Sequence, residues 1–123
     1  MSNDIQRFPS SLPFPFSRGV KAGGFLFLSG QVPMSAGGEV VRGDIQTQTR
    51  AACERIAESL EACGARLDQV VKATVWLDDA RDFDEFNRIY SEFFPGNKPA
   101  RSTIQARNMV ATKIEIEVIA CRP

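Results

Sequence analysis

"KIEIEVIA", residues 113–120, decides how the rest of the chain is read. Ile114, Ile116 and Val118 fall at alternate positions, with Lys113, Glu115, Glu117 and Ile119 between them. That period belongs to a β-strand with one face for a core and one face left mixed. "VVKATVWL" (70–77) repeats the pattern, Val71, Ala73, Val75 and Leu77 against Val70, Lys72, Thr74 and Trp76. In "FLFLSGQ" (25–31) both faces are apolar, Phe25 and Phe27 opposite Leu26 and Leu28. Two helices can cover one face of a sheet built from such strands. The mixed face then keeps Trp76, Val70, Ile119 and one of the Phe or Leu pairs, an apolar surface that calls for a partner. A second copy of the same chain is the simplest cover, and Trp76 reads as packing in that interface.

The remaining elements follow from their ends. "GVKAGGFLFLSGQ" (19–31) is a short strand, a Gly-Gly turn and a second strand. "VPMSAGGEVV" (32–41) is a loop or hairpin running into a short third strand. Asp44 is placed to cap a helix that runs to about Cys63, where Gly64 stops it. Its apolar or small positions Ile45, Thr49, Ala52, Ile56, Leu60 and Cys63 step by three and four. Asp82 with Glu85 resembles a capping box for a second helix, with Phe83, Phe86, Tyr90 and Phe93 along one side and "FFPG" (93–96) at its end. Strands follow at about 100–105 and 113–120, while residues 1–17, with prolines at 9, 13 and 15, read as irregular. The order is βββαβαββ: an α+β fold, two helices on one face of a mixed sheet, in one domain spanning 1–123.

Composition narrows the chemistry. The 123 residues balance 15 basic against 15 acidic side chains, so no broad positive field is available to hold nucleic acid. No signal peptide and no membrane-length apolar run is present, which points to a cytoplasmic protein. Cys53 and Cys63 fall about 15 Å apart on one helix at ~1.5 Å per residue, beyond disulfide reach, and the cysteines read as small hydrophobes. Histidine is absent. That removes the commonest general base, the Ser-His and Cys-His pairs and the usual zinc sites. Neither a P-loop nor a GxGxxG occurs. An enzyme here works with carboxylates, arginine, hydroxyls and water, without metal or cofactor.

"PARSTIQ" (99–105) then poses a question: why does a strand carry a guanidinium at Arg101? Either Arg101 points to water, or it waits for a planar anion. "PARSTI" (99–104), together with "SGQVP" (29–33), "DFDEFNRIYSEFFP" (82–95) and "KIEIEVIA", resembles the Rid family of reactive-intermediate deaminases, the YjgF type. The likeness runs from about Phe16 to Arg122, and the βββαβαββ order is that family's chorismate-mutase-like fold. The resemblance implies a homotrimer with sheets inside and helices outside. It implies hydrolysis of 2-imino and enamine acids, such as 2-aminoacrylate, to 2-keto acids and ammonia. It places the substrate carboxylate on Arg101, the attacking water on Glu115, Asn87 at the cleft between subunits, and a backbone contact at Gly30. Glu117 shares the strand face of Glu115 and stays open as the water-handling carboxylate.

The residues fit such a reaction on chemical grounds. A 2-imino acid carries its own electrophile, so the protein needs only to capture a carboxylate, orient a water and move a proton. Arginine does the first bidentately; a carboxylate of suitable pKa does the others. Three departures from the family pattern leave the substrate open. Phe16 stands where many members have tyrosine, Thr103 where a cysteine often follows the arginine, and "QARNMVAT" (105–112) is about one residue short. Phe16 and Thr103 therefore join Arg101, Gly30 and Asn87 as candidate substrate contacts. Two alternatives remain: a deaminase dedicated to one pathway acid of the aminomuconate kind, and a trimeric protein that binds a small carboxylate without turnover. Ribonuclease activity or translation inhibition, linked to some relatives, sits badly with zero net charge and no histidine.

Overall fold

A computed structural model describes residues 4–122. Six strands form one mixed sheet in the order β1-β2-β3-β6-β4-β5. They are β1 (Gln6–Pro9), β2 (Ser17–Ala22), β3 (Phe25–Leu28), β4 (Val70–Leu77), β5 (Ala100–Gln105) and β6 (Ile114–Cys121), with helices α1 (Ile45–Ala62) and α2 (Phe83–Phe93). β6 pairs antiparallel with both β3 and β4, so β3 and β4 run the same way. β4 and β5 are parallel. The crossovers β3-α1-β4 and β4-α2-β5 therefore step across the sheet in one direction. With a common hand they put both helices on one face, where the two pack together.

That face holds the core. β6 contributes Ile114, Ile116, Val118 and Ala120, β4 contributes Ala73, Val75 and Leu77, and β3 contributes Leu26 and Leu28, all buried. Ala52, Cys53, Ile56 and Leu60 descend from α1, and Phe86, Ile89 and Tyr90 from α2. Burial pushes the Cys53 thiol up to about 12, in keeping with a packing role. The opposite face is mixed, as the alternation predicts: cross-strand neighbours Phe27 and Ile119, Glu117 and Thr74, and Glu115 and Trp76 share it. Phe25 and Phe27 are exposed there. No helix among the described residues is long and apolar enough to cross a membrane.

The ends of α1 form as expected. The Asp44 side chain accepts a hydrogen bond from Thr47 N at 2.9 Å. At the other end Gly64, at φ 82°, donates to Glu61 O at 3.0 Å, and Ala65 N donates to Leu60 O at 2.8 Å. This pair of bonds is a Schellman stop, which needs a left-handed residue at that point.

Four expectations are corrected. The first strand lies at Gln6–Pro9, within the stretch read as irregular; as an edge strand that is mostly exposed, it carries no alternating apolar signal. The strand expected near Val40 is a single bridge, Met34 to Val40, because the turn closed by Gly38 N to Ser35 O leaves too little chain for a ladder. The letter order is thus as read, with a different strand in first place. Val70 is buried in the core and Val71 is exposed, because a bulge between Val70 and Lys72 swaps their faces. The Asp82–Glu85 box does not form. A 3₁₀ turn (Ala80–Asp82), capped by Asp79, leads straight into α2, and Glu85 instead accepts hydrogen bonds from Gln46 and Arg88. The buried side of α2 is Phe86, Ile89 and Tyr90, with Phe83 left 42% exposed.

Ile116, 1% exposed, is the centre of this packing, and its backbone also exchanges both hydrogen bonds with Gln31. Ile116→Ala is expected to cost about 2–5 kcal/mol, the range for emptying a buried aliphatic site. Urea unfolding followed by circular dichroism measures it, with the m-value unchanged.

Candidate active site

The β4-α2-β5 unit builds one half of the site. β5 is the edge strand, and Arg101 stands opposite Ala73, so its side chain lies on the helix face, against α2. There Arg101 Nη2 donates to Asn87 Oδ1 at 2.7 Å. Its guanidinium carbon lies 4.8 Å from the centroid of the Tyr90 ring, 4.9 Å from Phe86 and 5.8 Å from Phe83. Three rings and one amide therefore fix the fork without neutralising it. Arg50, Arg66, Arg81 and Arg88 each meet a carboxylate. Among the described residues Arg101 meets none. It opens onto a depression of ≈ 290 Å³ shared with Asn87, Tyr90, Ser91 and Lys98. A partly buried guanidinium with a neutral partner is suited to receive an anion.

Tyr90 belongs to this half and went unseen in the sequence, where its ring reads as core. Its hydroxyl is buried, with the Arg101 guanidinium as its polar neighbour. Burial pushes the phenol up to about 12, with the Arg101 charge opposing. The helical spacing of Asn87 and Tyr90, three apart, is the signal that a face of α2 turns toward β5. Thr103, opposite Val75, shares the helix face of β5 two residues beyond Arg101.

The second half lies on the other face of the sheet. Glu115, opposite Trp76 on β6, is partly buried, and its side chain makes no hydrogen bond to any described residue. Burial raises its pKa above the usual carboxylate value, and the neighbouring Glu117 charge adds to the rise. Gly30 stands directly against it: a Cβ at position 30 would overlap the Glu115 carboxylate, so any larger residue there would have to displace that side chain. The next residue, Gln31, pairs with Ile116 through both backbone bonds, 2.7 and 2.9 Å, which fixes Gly30 in that position. Phe16, 46% exposed and stacked on Phe14 at 6.0 Å, lines a cleft with Gly30. Within one chain the structure thus joins Arg101 to Asn87, with Thr103 nearby, and joins Glu115 to Gly30, with Phe16 nearby. It does not join the two halves, because the sheet lies between Arg101 and Glu115.

A mixed six-stranded sheet with two helices on one face defines a YjgF-type fold. The chain belongs to the YjgF/RutC family: the family described as Endoribonuclease L-PSP matches residues 9–122. A RutC family protein of Pyrococcus horikoshii is 45% identical over 108 residues, 86% of this chain and 86% of its own. The chloroplastic Reactive Intermediate Deaminase A of Arabidopsis thaliana is 38% identical, over 94% of this chain and 62% of its own. Among solved structures, E. coli TdcF with bound serine superposes with a TM-score of 0.85 at 34% identity, over 95% of this chain and 94% of that one.

The raised pKa of Glu115 has a sign that can be tested. The folded chain holds that proton to higher pH than the unfolded chain, so the residue costs stability once pH rises above its unfolded value, about 4.3. Glu115→Gln is therefore expected to raise the unfolding temperature at pH 7. The gain should vanish below about pH 4, where the wild-type carboxyl is protonated in both states. Calorimetry across that range checks it.

Proposed function

We propose that the chain is a hydrolytic deaminase of small 2-imino and enamine acids, acting at a site completed between copies of the chain in a homotrimer. The observation that carries this reading is the pair of half-sites: a guanidinium held without a counter-charge, and a partly buried carboxylate whose pKa is raised. A sheet keeps them apart in one subunit, and a neighbour laid against the mixed face can bring its own half to the other. The family relationship supports the reading, as does the Arabidopsis relative named for reactive-intermediate deamination. TdcF, solved with serine bound, supports a site sized for a small carboxylate.

The chemistry follows from the groups. Arg101 takes the substrate carboxylate through two parallel N–H···O bonds, its plane set by Tyr90 and Phe86 and its outer edge by Asn87. Water adds to C2 of the protonated imine. Glu115 accepts a proton from that water and returns one to the departing nitrogen. The C–N bond then breaks as the C2 hydroxyl becomes the carbonyl and passes its proton to Glu115, leaving a 2-keto acid and ammonia, which takes up that proton. A carboxylate whose pKa is raised accepts a proton more readily than an ordinary one and, once protonated, can return it. Glu117 sets part of that shift by its charge. Phe16 places a ring without a hydroxyl at the rim of the Glu115 half, which favours imino acids with apolar side chains. The RNA-cleaving activity in the family's description lacks support here, since the chain has zero net charge and no histidine.

The test generates imino acids with an amino-acid oxidase and follows their decay with and without the protein. Arg101→Ala is expected to lose at least ~10-fold in kcat/KM, since a hydrogen bond to a charged group contributes about 1.5–3 kcal/mol. Arg101→Lys should restore little of this. Glu115→Gln should lower kcat more than it raises KM. Full activity in Arg101→Ala on every imino acid tried overturns the carboxylate clamp. Sedimentation equilibrium addresses the assembly: a species of three 13.6 kDa chains is expected, and a stable monomer that remains active excludes a shared site.

A further inference from the structure

Arg18 and Arg55 are among the arginines that meet no carboxylate of the described residues, and these two line one cleft. Arg18 on β2 donates through Nε to Ser59 Oγ at 3.0 Å. Arg55 on α1 donates through Nε to Gln31 Oε1 at 3.2 Å and through Nη1 to Ser35 O at 3.3 Å. Every acceptor is neutral. Both η nitrogens of Arg18 and Nη2 of Arg55 have no acceptor among the described residues. Ser10 and Ser11 stand on the same cleft, and no acidic residue lines it. Its volume is ≈ 30 Å³. A water needs about 10–15 Å³ on the same kind of scale, so the cleft suits one compact head group.

The supports of both guanidiniums are built in. Ser59 is fully buried on α1, and Gln31 is 8% exposed. The Gln31 side chain is itself anchored, since its Nε2 donates to Ser29 O at 3.0 Å. Arg18 is thus tied through Nε to one fixed oxygen and Arg55 through Nε and Nη1 to two, which leaves both η nitrogens of Arg18 and Nη2 of Arg55 to meet a ligand. Two like charges placed together without an acid repel each other, and a bound dianion removes that cost. The cleft adjoins the Glu115 half-site, since Phe16 and Gly30 line it as well, but its two arginines face away from Glu115. At Gly30 the Cβ direction points to Glu115, whereas the next side chain, Gln31, turns to Arg55 on α1.

We propose that Arg18 and Arg55 form an oxyanion-binding site, selective for a doubly charged tetrahedral group such as a phosphoryl group. It lies across the 29–31 segment from Glu115. The inference stands apart from the deaminase reading, because it uses neither Arg101 nor Glu115 and its test needs no turnover.

The experiment measures unfolding temperature against concentration of inorganic phosphate, glycerol 3-phosphate, acetate and chloride, all at one ionic strength. Phosphate is expected to raise the temperature saturably, chloride and acetate not. Equal action of glycerol 3-phosphate assigns the site to phosphomonoesters, and its failure restricts it to the free ion; either result upholds the dianion site. Arg18→Gln and Arg55→Gln should each weaken the apparent phosphate affinity at least tenfold, with Arg101→Ala unchanged. Crystals of the wild-type protein soaked in selenate give a readout free of folding effects, with an anomalous peak between Arg18 and Arg55. No saturable difference between phosphate and chloride overturns the proposal. So does a response that survives in the double variant, or one that disappears only with Arg101→Ala.

Discussion

The whole arrangement depends on the alternation of side chains along β6, held in register between β3 and β4. Those two strands run in the same direction and do not touch; β6 supplies the hydrogen bonds of both inner edges. Its register delivers Ile114, Ile116, Val118 and Ala120 to the helices and Glu115, Glu117 and Ile119 to the other face. A slip of one residue would put two carboxylates into the core and three aliphatic side chains into water. The same constraint makes Glu115 available for chemistry. Its backbone on a central strand is fixed, and the partial burial of its carboxylate follows from the neighbouring strands and the backbone of Gly30.

Arg101 is fixed by different means. Its strand lies at the sheet edge, where one side has no hydrogen-bonded neighbour, so rigidity comes from α2. Asn87 and Tyr90 stand three apart on that helix and reach the guanidinium together, one through an amide oxygen and one through a ring face. The two halves illustrate separate ways of holding a charge ready. On β6 the carboxylate is destabilised by burial and a like charge. On β5 the cation is stabilised by rings that leave its hydrogen-bonding edges unfilled.

Much of this was legible in the residues because strand period and helix caps are local signals. The core face of β6, the start of α1 at Asp44 and its end at Gly64 follow from sequence neighbours alone, whereas β3 is apolar on both faces and its choice of Leu26 and Leu28 for the core is set by the sheet. Val70 was misplaced because a bulge leaves no mark on a run of β-branched residues. Gln6–Pro9 was missed because an edge strand buries little and so needs no apolar pattern. Asp82 and Glu85 have the spacing of a capping box, but the Asp79 turn ahead of them and Gln46 across the helix pair supply competing hydrogen bonds. The association of Tyr90 with Arg101 is a tertiary fact: eleven positions separate them, and only the parallel pairing of β5 with β4 brings them side by side. The separation of Arg101 and Glu115 by the sheet is of the same kind, since each lies on a strand whose facing depends on register.

The central place of β6 also bears on the order of events during synthesis. As the chain leaves the ribosome, β1, β2 and β3 can pair as a meander, and β4, α2 and β5 can close as a parallel unit. Those two pieces share no strand boundary until β6 emerges, later than every other element described. Until then each presents an open edge to solvent or to a neighbouring nascent chain. The last strand to be made is thus the one that turns two sticky fragments into a sheet, and the interval before its arrival is when such a chain most needs a chaperone.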